Sequence, residues 1–376
     1  MSASGSVAST ALNKAPAGTG LNREITLPGL QKPVQLADLA VLTRQMATML
    51  AAGLTLLRTL TIVAAQTENR KLAAVLGEVR AGVEGGTALS EALAKHPDVF
   101  PPLMLGLVRA GEVGGFLDRA LESVAANLEG EVKLRATIRS ALTYPVVVLA
   151  IAIAAVIGML VFIVPIFEQM FADLGGELPI LTQVLVTVSA ASTWLVPLVL
   201  AVLIVATIWW SRNRNEERVR RVVDPALLRL PVFGPLLQKV AIARFTRNLA
   251  SMLGAGVPIM QSLGIVGATA GNWVIEAAVT RVQNSVRNGR TIAAPLLDEP
   301  FFPAMVTQMI TVGEDSGALE PMLNKVSDFY DQQVDATSNQ LTALIEPLMI
   351  TVIGVVIGGM IVALYLPVFS IFDQIR

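Results

Sequence analysis

The sequence predicts an all-α integral membrane protein in which two homologous cytoplasmic helical bundles are carried on three transmembrane helices. Three observations predict it. Apolar residues recur at helical spacing along the polar regions, with no convincing alternation of period two that would make a sheet. Three stretches, between Arg139 and Glu168, Glu177 and Arg212, and Glu346 and Asp373, enclose no Asp, Glu, Lys or Arg, and each exceeds the roughly 20 residues a spanning helix needs. Finally, the first helical region and the span after it recur later in the chain.

Composition agrees. Over 376 residues the hydrophobic fraction is 53% and the charged fraction 15%, with a mean hydropathy of +0.63, values unlike those of a soluble globular chain. A formal net charge of -1 gives no field for direct nucleic-acid binding. There is no cysteine and one histidine, His96, so disulfides, thiol nucleophiles and the common zinc sites are not expected.

Residues 1–33, rich in Ser, Ala, Gly and Thr, lack the apolar core of a signal peptide and are expected to be a disordered cytoplasmic tail. From Leu36 onward Leu39, Leu42, Met46, Met49 and Leu50 paint one face of an amphipathic helix that Ala52-Gly53 ends. Further helices are expected at about 54–66, 70–84, 87–95, 101–110 and 115–139, punctuated by Gly85-Gly86, Pro97, Pro101-Pro102 and Gly114-Gly115. Short connections make this a compact antiparallel bundle, 34–142.

The spans are placed at 143–166, 183–210 and 346–371, with a short extracytoplasmic loop at 167–182, a second bundle at 211–345 and an extracytoplasmic C-terminus at 372–376. Orientation follows from basic flanks. Lys133, Arg135 and Arg139 precede the first span, Arg212, Arg214, Arg218, Arg220 and Arg221 follow the second, and the loop from Glu168 to Leu181 has neither Lys nor Arg. Trp194, Trp209 and Trp210 read as interfacial anchors. The basic run is first a determinant of topology and second a candidate site for lipid headgroups or a partner.

TRQMATMLAAG at 43–53 and TRNLASMLGAG at 246–256 coincide at a shift of 203, from 43 to 246. A shift of 202 pairs Glu112 with Glu314, Gly115 with Gly317, Pro145 with Pro347 and Pro165 with Pro367. One duplication of bundle plus span, about 36–169 and 239–371, with a one-residue deletion, explains both. If both bundles stay inside, spans one and three run outward and the unrepeated span between them must return. The prolines of the first span are 20 residues apart, from 145 to 165, roughly the 30 Å of a hydrocarbon core at about 1.5 Å per residue. Pro145 and Pro347 suit a first helical turn, and Pro165 and Pro367 a terminus or kink.

The residues so far quoted, with AAGLTLLRTL (51–60), AGVPIMQSL (255–263), AGEVGGFLDRAL (110–121), VGEDSGALEPML (312–323) and ALTYPVVVLAIAIAAVIGMLVFIVP (141–165), resemble the type II secretion F family, also called GspF or PilC. The resemblance covers nearly everything from 36 to 371, with Thr137 a departure where the family usually has Lys, Arg or Gln. It implies an inner-membrane platform protein of type II secretion or type IV pilus machines, with no catalytic centre. Implied partners are a cytoplasmic assembly or retraction ATPase, pilin or pseudopilin transmembrane helices, other inner-membrane assembly proteins, the bilayer, and further copies of the chain as a dimer or higher homo-oligomer.

Several positions carry both a structural and a functional reading. Gly111, Glu112 and Gly115, with Gly313, Glu314 and Gly317, form two acidic glycine turns. Each carboxylate is expected to cap the next helix, near Leu117 and Leu319; docking a partner is the second reading. Arg44 and Arg247, equivalent in the repeats, are read first as pairing with an acid of their own bundle and second as ATPase contacts. His96 reads as a surface residue. Glu346 stands at the entrance of a span where the first repeat has Tyr144, and serves either as a headgroup-region acid or as a polar contact with a pilin or neighbouring subunit. Gly354, Gly358 and Gly359 form a small-xxx-small seam for another helix.

An oligomeric transporter or channel is the alternative, although the spans carry no interior charge and no broken-helix pair. Enzymatic activity is not expected: no Walker A loop, H-E-x-x-H or G-x-S-x-G occurs, no aspartate lies inside a span, and no catalytic, cofactor or metal site is called.

Overall fold

The computed structural model describes residues 32–173, 179–214, 216–231 and 233–374. Nearly all of the expected N-terminal tail, part of the loop between the first two spans and the last two residues lie outside them. The described residues are helical, without strands.

The first repeat comprises α1 (Leu36–Ala51), α2 (Leu56–Gln66), α3 (Arg70–Glu84), α4 (Leu89–Ala94), α5 (Pro102–Gly114) and α6 (Leu117–Gly158), which runs through a π turn (Met159–Ile163) into α7 (Val164–Asp173). The return helix is α8 (Ile180–Asn213), followed by α9 (Glu217–Leu228). The second repeat is α10 (Gly234–Gly254), α11 (Ile259–Thr269), α12 (Trp273–Arg287), α13 (Ala293–Leu297), α14 (Ala304–Ser316) and α15 (Leu319–Gln374). Local chemistry sets the boundaries. Asn69 and Asn272 cap α3 and α12 through their side chains, Pro102 occupies the first turn of α5, and Gly115 and Gly317 end α5 and α14 at φ of 73° and 68°.

Each bundle turns its apolar stripes inward, and the buried residues of both form one contiguous core. Phe100 and its repeat equivalent Phe302 are both buried, Phe302 lying edge-on to Phe245 at 5.5 Å. The repeats join heterologously: α10 and α11 of the second pack on α5 and α6 of the first, while α1 and α2 form no comparable contact with α14 and α15. At this junction a Cβ on Gly106 would lie 2.7 Å from Cδ1 of Ile265, so a larger residue in α5 would have to displace that side-chain tip of α11. A smaller cluster of Leu134, Leu236, Val240, Val334 and Leu341 packs α6, α10 and α15 together beside the membrane.

Three helical runs are long and apolar enough to cross a membrane: Leu117–Asp173, Ile180–Asn213 and Leu319–Pro367. The first and third are continuous with the last helix of their bundle, and no break marks the junctions near 142 and 345. Pro145 and Pro347 therefore lie inside helices and not in a first turn, because the helix that enters the membrane is already formed. Pro165 and Pro367 do not terminate their helices either.

An interior proline withholds a hydrogen bond from a carbonyl about one turn earlier, and in a membrane no water replaces it. Hydroxyls replace it at Pro367, Pro165 and Pro145. Four residues before Pro367, the Ala363 carbonyl accepts from Thr182 of α8 at 2.6 Å. Before Pro165 the chain is in π register, Val164 N–H bonding back to Met159, so the carbonyl deprived of a donor is that of Leu160, and it accepts from Ser189 of α8 at 2.5 Å. Four residues before Pro145, the Ala141 carbonyl accepts from Thr342 of α15 at 3.3 Å. Thr182, Ser189 and Ser192 are the buried residues of α8, whose apolar side chains mostly face outward.

Candidate functional site

The two acidic turns are built alike. Gly115 and Gly317 adopt the left-handed conformation that closes each helix, and Gly111 and Gly313 let α6 and α15 approach, since added Cβ atoms would lie 2.3 Å from Ala120 and 2.9 Å from Leu319. The carboxylates point away from the helices they were expected to cap. Glu112 accepts from Leu89 N at 2.5 Å, Ser90 N at 3.1 Å and Ser90 Oγ at 2.7 Å, all at the start of α4. Glu314 accepts from Ile292 N at 2.6 Å and Ala293 N at 2.8 Å, at the start of α13. Both acids are thus N-terminal caps for short helices about 22 residues upstream. The correction has a simple cause: Ala88 and Ile292 at the N-cap positions of α4 and α13 carry no side-chain oxygen, and Thr291, which accepts from Ala294 N at 3.2 Å, leaves the N–H groups of Ile292 and Ala293 to Glu314, whereas the left-handed glycine turns the chain away from the carboxylate.

Arg44 and Arg247 each pair with an acid of their own bundle. Arg44 forks onto Glu129, both N–O distances being 2.7 Å, and also contacts Glu122. Arg247 holds both carboxylate oxygens of Asp331. Glu129 and Asp331 are 202 apart, so the ion pair belongs to the repeat unit and the duplication alone locates the acids. Surroundings differ. Arg44 is 36% exposed and Arg247 12%, because Gly130 of α6 lies over the Arg247 guanidinium, a Cβ there meeting Nε at 3.0 Å. Hydrogen bonding to Glu129 and Glu122 outweighs burial and raises Arg44 above its ordinary range, and the bond from Arg44 lowers Glu129.

The inter-repeat contacts were not anticipated. Arg244 forks onto Glu131 at 2.9 and 2.6 Å, Arg135 adds a bond to the same carboxylate at 2.8 Å, and Asn127 donates to Asn248 at 2.9 Å. Burial pushes Glu131 up, but the Arg244 charge and the bonds from Arg244 and Arg135 outweigh it, and the carboxyl is held below its ordinary value. These groups line a cavity of about 240 Å³ whose other walls are apolar, including Leu103, Met104, Leu107 and Val124. The repeat could not have signalled them, since the equivalents of Arg244 and Glu131 are Val41 and Gln333.

At the membrane edge α6 and α15 cross at repeat-equivalent residues, Thr137 with Asn339, Ser140 with Thr342 and Ala141 with Ala343, around a cleft of about 410 Å³. Glu346 lines it, while Tyr144 is half-exposed nearby in sequence. Pro145 and Pro367 are buried and Pro347 is exposed. Gly354, Gly358 and Gly359 face open space, their seam unoccupied among the described residues. His96 is mostly covered rather than superficial, with Nε2 at 3.5 Å from Glu78. Among the described residues no group of three His, Cys, Asp or Glu could hold a metal ion.

The sequence model of the type II secretion system (T2SS) protein F family matches the chain twice, over residues 42–165 and 245–367. Their starts differ by 203 and their ends by 202, the two shifts of the duplication. The chain is similar to the type IV pilus assembly protein PilC of Thermus thermophilus, 47% identical across 95% of this chain and 88% of that protein. PilC of Myxococcus xanthus is 43% identical across 95% and 85%, and the type II secretion system protein F of Xanthomonas campestris 33% across 92% and 85%.

Proposed function

Because this chain belongs to the type II secretion system protein F family, we propose that it is the inner-membrane platform of a type IV pilus or type II secretion machine. In this reading both bundles face the cytoplasm and engage an assembly or retraction ATPase. The three membrane helices guide pilin or pseudopilin subunits into or out of the filament base. The basic flanks of the first two spans support the orientation, with the N-terminus inside and the C-terminus outside.

One observation carries the reading: each bundle ends in a helix that enters the membrane without a break, so reorientation of a bundle is passed to the helix in lipid. The open glycine seam of α15 accepts a foreign helix, a pilin segment or a second copy of this chain in a dimer or larger homo-oligomer. Glu346 in its cleft offers the one carboxylate at the entrance of that span, where the first repeat has Tyr144. The exposed Arg44–Glu122–Glu129 cluster is the better candidate for a protein contact, while Arg247, Glu112 and Glu314 serve structure.

The test is to interrupt α6 between bundle and membrane by inserting a Gly-Pro-Gly segment after Arg139. The full chain should still bind the cognate ATPase in a pull-down and still insert in the membrane, and filament assembly or secretion should be lost. Normal assembly by a stably produced variant would overturn the coupling, and failure of the unmodified chain to bind any machine component would overturn the platform role.

A further inference from the structure

Among the described residues α9 is the one cytoplasmic helix without a counterpart in the other repeat, and it falls outside both family matches. Both its ends are held on the membrane side. Its start follows α8 after a three-residue link, just beyond Trp209 and Trp210. Its end leads into the first turn of α10, where Leu236 packs in the membrane-proximal cluster; the other end of α10, Gly254, lies against Glu320 at the far tip of α15. A helix of this length tethered at both ends near the bilayer lies along its cytoplasmic surface.

The two faces of α9 differ. One is fixed to the second bundle: Asp224 accepts from Trp273 N at 2.7 Å, Arg220 pairs with Glu276 at 2.9 Å, and Val219, Val223 and Leu228 are half-buried. The opposite face carries Arg218, Val222, Ala226 and Arg229, spaced about one turn apart, and Arg221 stands at the border of the two faces, 5.6 Å over the Trp273 ring of α12. All are exposed, Val222 to 70%. No carboxylate among the described residues lies within salt-bridge distance of Arg218, Arg221 or Arg229.

We propose that this face of α9 binds the anionic phospholipids of the cytoplasmic leaflet, its guanidinium groups holding lipid phosphates while Val222 and Ala226 enter the headgroup region. Guanidinium matches phosphate bidentately, long basic side chains reach outward from an in-plane helix, and the apolar residues between them suit a membrane better than a protein acid cluster. Lipid composition then acts on the second bundle through Asp224 and Arg220, which tie α9 to the first turns of α12. This goes beyond the platform role and does not depend on the ATPase.

The absence of native cysteine makes the test clean. The full chain carrying Val222→Cys is labelled with a polarity-sensitive dye and placed in nanodiscs of phosphatidylcholine, with or without phosphatidylglycerol. A twin labelled at Val312→Cys, in the membrane-distal turn of α14, is the control. The emission at 222 should shift to the blue with phosphatidylglycerol, weaken in high salt and stay unchanged at 312. With each arginine shifting the docked-to-undocked ratio about fivefold, R218Q/R221Q/R229Q should move it on the order of a hundredfold and abolish the shift. Emission independent of lipid, or a shift that survives the triple substitution, overturns the proposal. A shift that appears only on adding an acidic protein component of the machine also overturns it, in favour of a protein surface.

Discussion

Arg44 and Arg247 descend from one residue, and each grips the acid that the duplication supplies, yet their fates differ. In the first repeat the pair is open to solvent and has acquired an extra carboxylate, Glu122, whose counterpart is Asn324. In the second the pair is roofed by Gly130 of the other repeat and has become part of the junction. Heterologous joining makes this unavoidable: when two copies of one unit pack head to tail, one uses its α1-type face and the other its α6-type face, so equivalent positions face different surroundings. The ion pair ties helices together within each bundle; only its first copy is left open to solvent.

The comparison breaks most sharply at the arginines. Arg247→Ala removes the covered partner of Asp331, which is itself one-third exposed, and should cost about 1–3 kcal/mol. Arg44→Ala should cost only about 0.5–1 kcal/mol, since that cluster is solvent-screened. Thermal unfolding of the detergent-solubilised chain reads both; equal losses would refute the asymmetry. Gly130→Val, which forces a side chain against Arg247, should cost about 1–3 kcal/mol, while Gln332→Val at the exposed equivalent position should change stability by under about 0.5 kcal/mol.

The acidic turns should behave alike in both repeats. Glu112→Ala and Glu314→Ala remove caps of three and two hydrogen bonds and should each cost about 1–2 kcal/mol, adding nearly fully in the double variant because the sites lie in separate bundles. A strongly non-additive double variant would mean that the turns communicate.

Acid should loosen the junction. Glu131 has a folded-state pKa lowered from 4.5, so its contribution is full above that value and is lost as pH falls through the depressed one. Glu131→Gln should flatten the acid limb of a stability profile, a change that Gln333, its non-titrating equivalent, cannot mimic. Smallest of all, Thr182→Val and Ser189→Ala should each cost about 0.5–1 kcal/mol when unfolding is followed in mixed micelles, the usual worth of a hydrogen bond between membrane helices.

Much of the fold was legible beforehand. The repeat, the three spans and the helix segments of the first bundle are visible in hydropathy, spacing and glycine punctuation, all of which are local signals. The junctions were not, because at 139–145 the pattern changes from amphipathic to uniformly apolar while the backbone does not change at all. Glu112 was recognisable as a cap but not its target, since the start of α4 reaches it only after the chain has folded back through α5. The Arg244–Glu131 bridge lay beyond reach for a different reason: duplication reveals which positions correspond, and only packing decides which of two corresponding faces is covered.

The hydroxyls of α8 give that unrepeated helix a part that topology alone does not. Hydrocarbon offers no water to a carbonyl stripped of its donor, and one helix supplies the missing donor to a proline-containing span from each repeat. Withdrawing α8 by little more than the length of a hydrogen bond would bare a carbonyl in both halves at once. The duplicated spans therefore share one partner for the carbonyls that their outer prolines leave open.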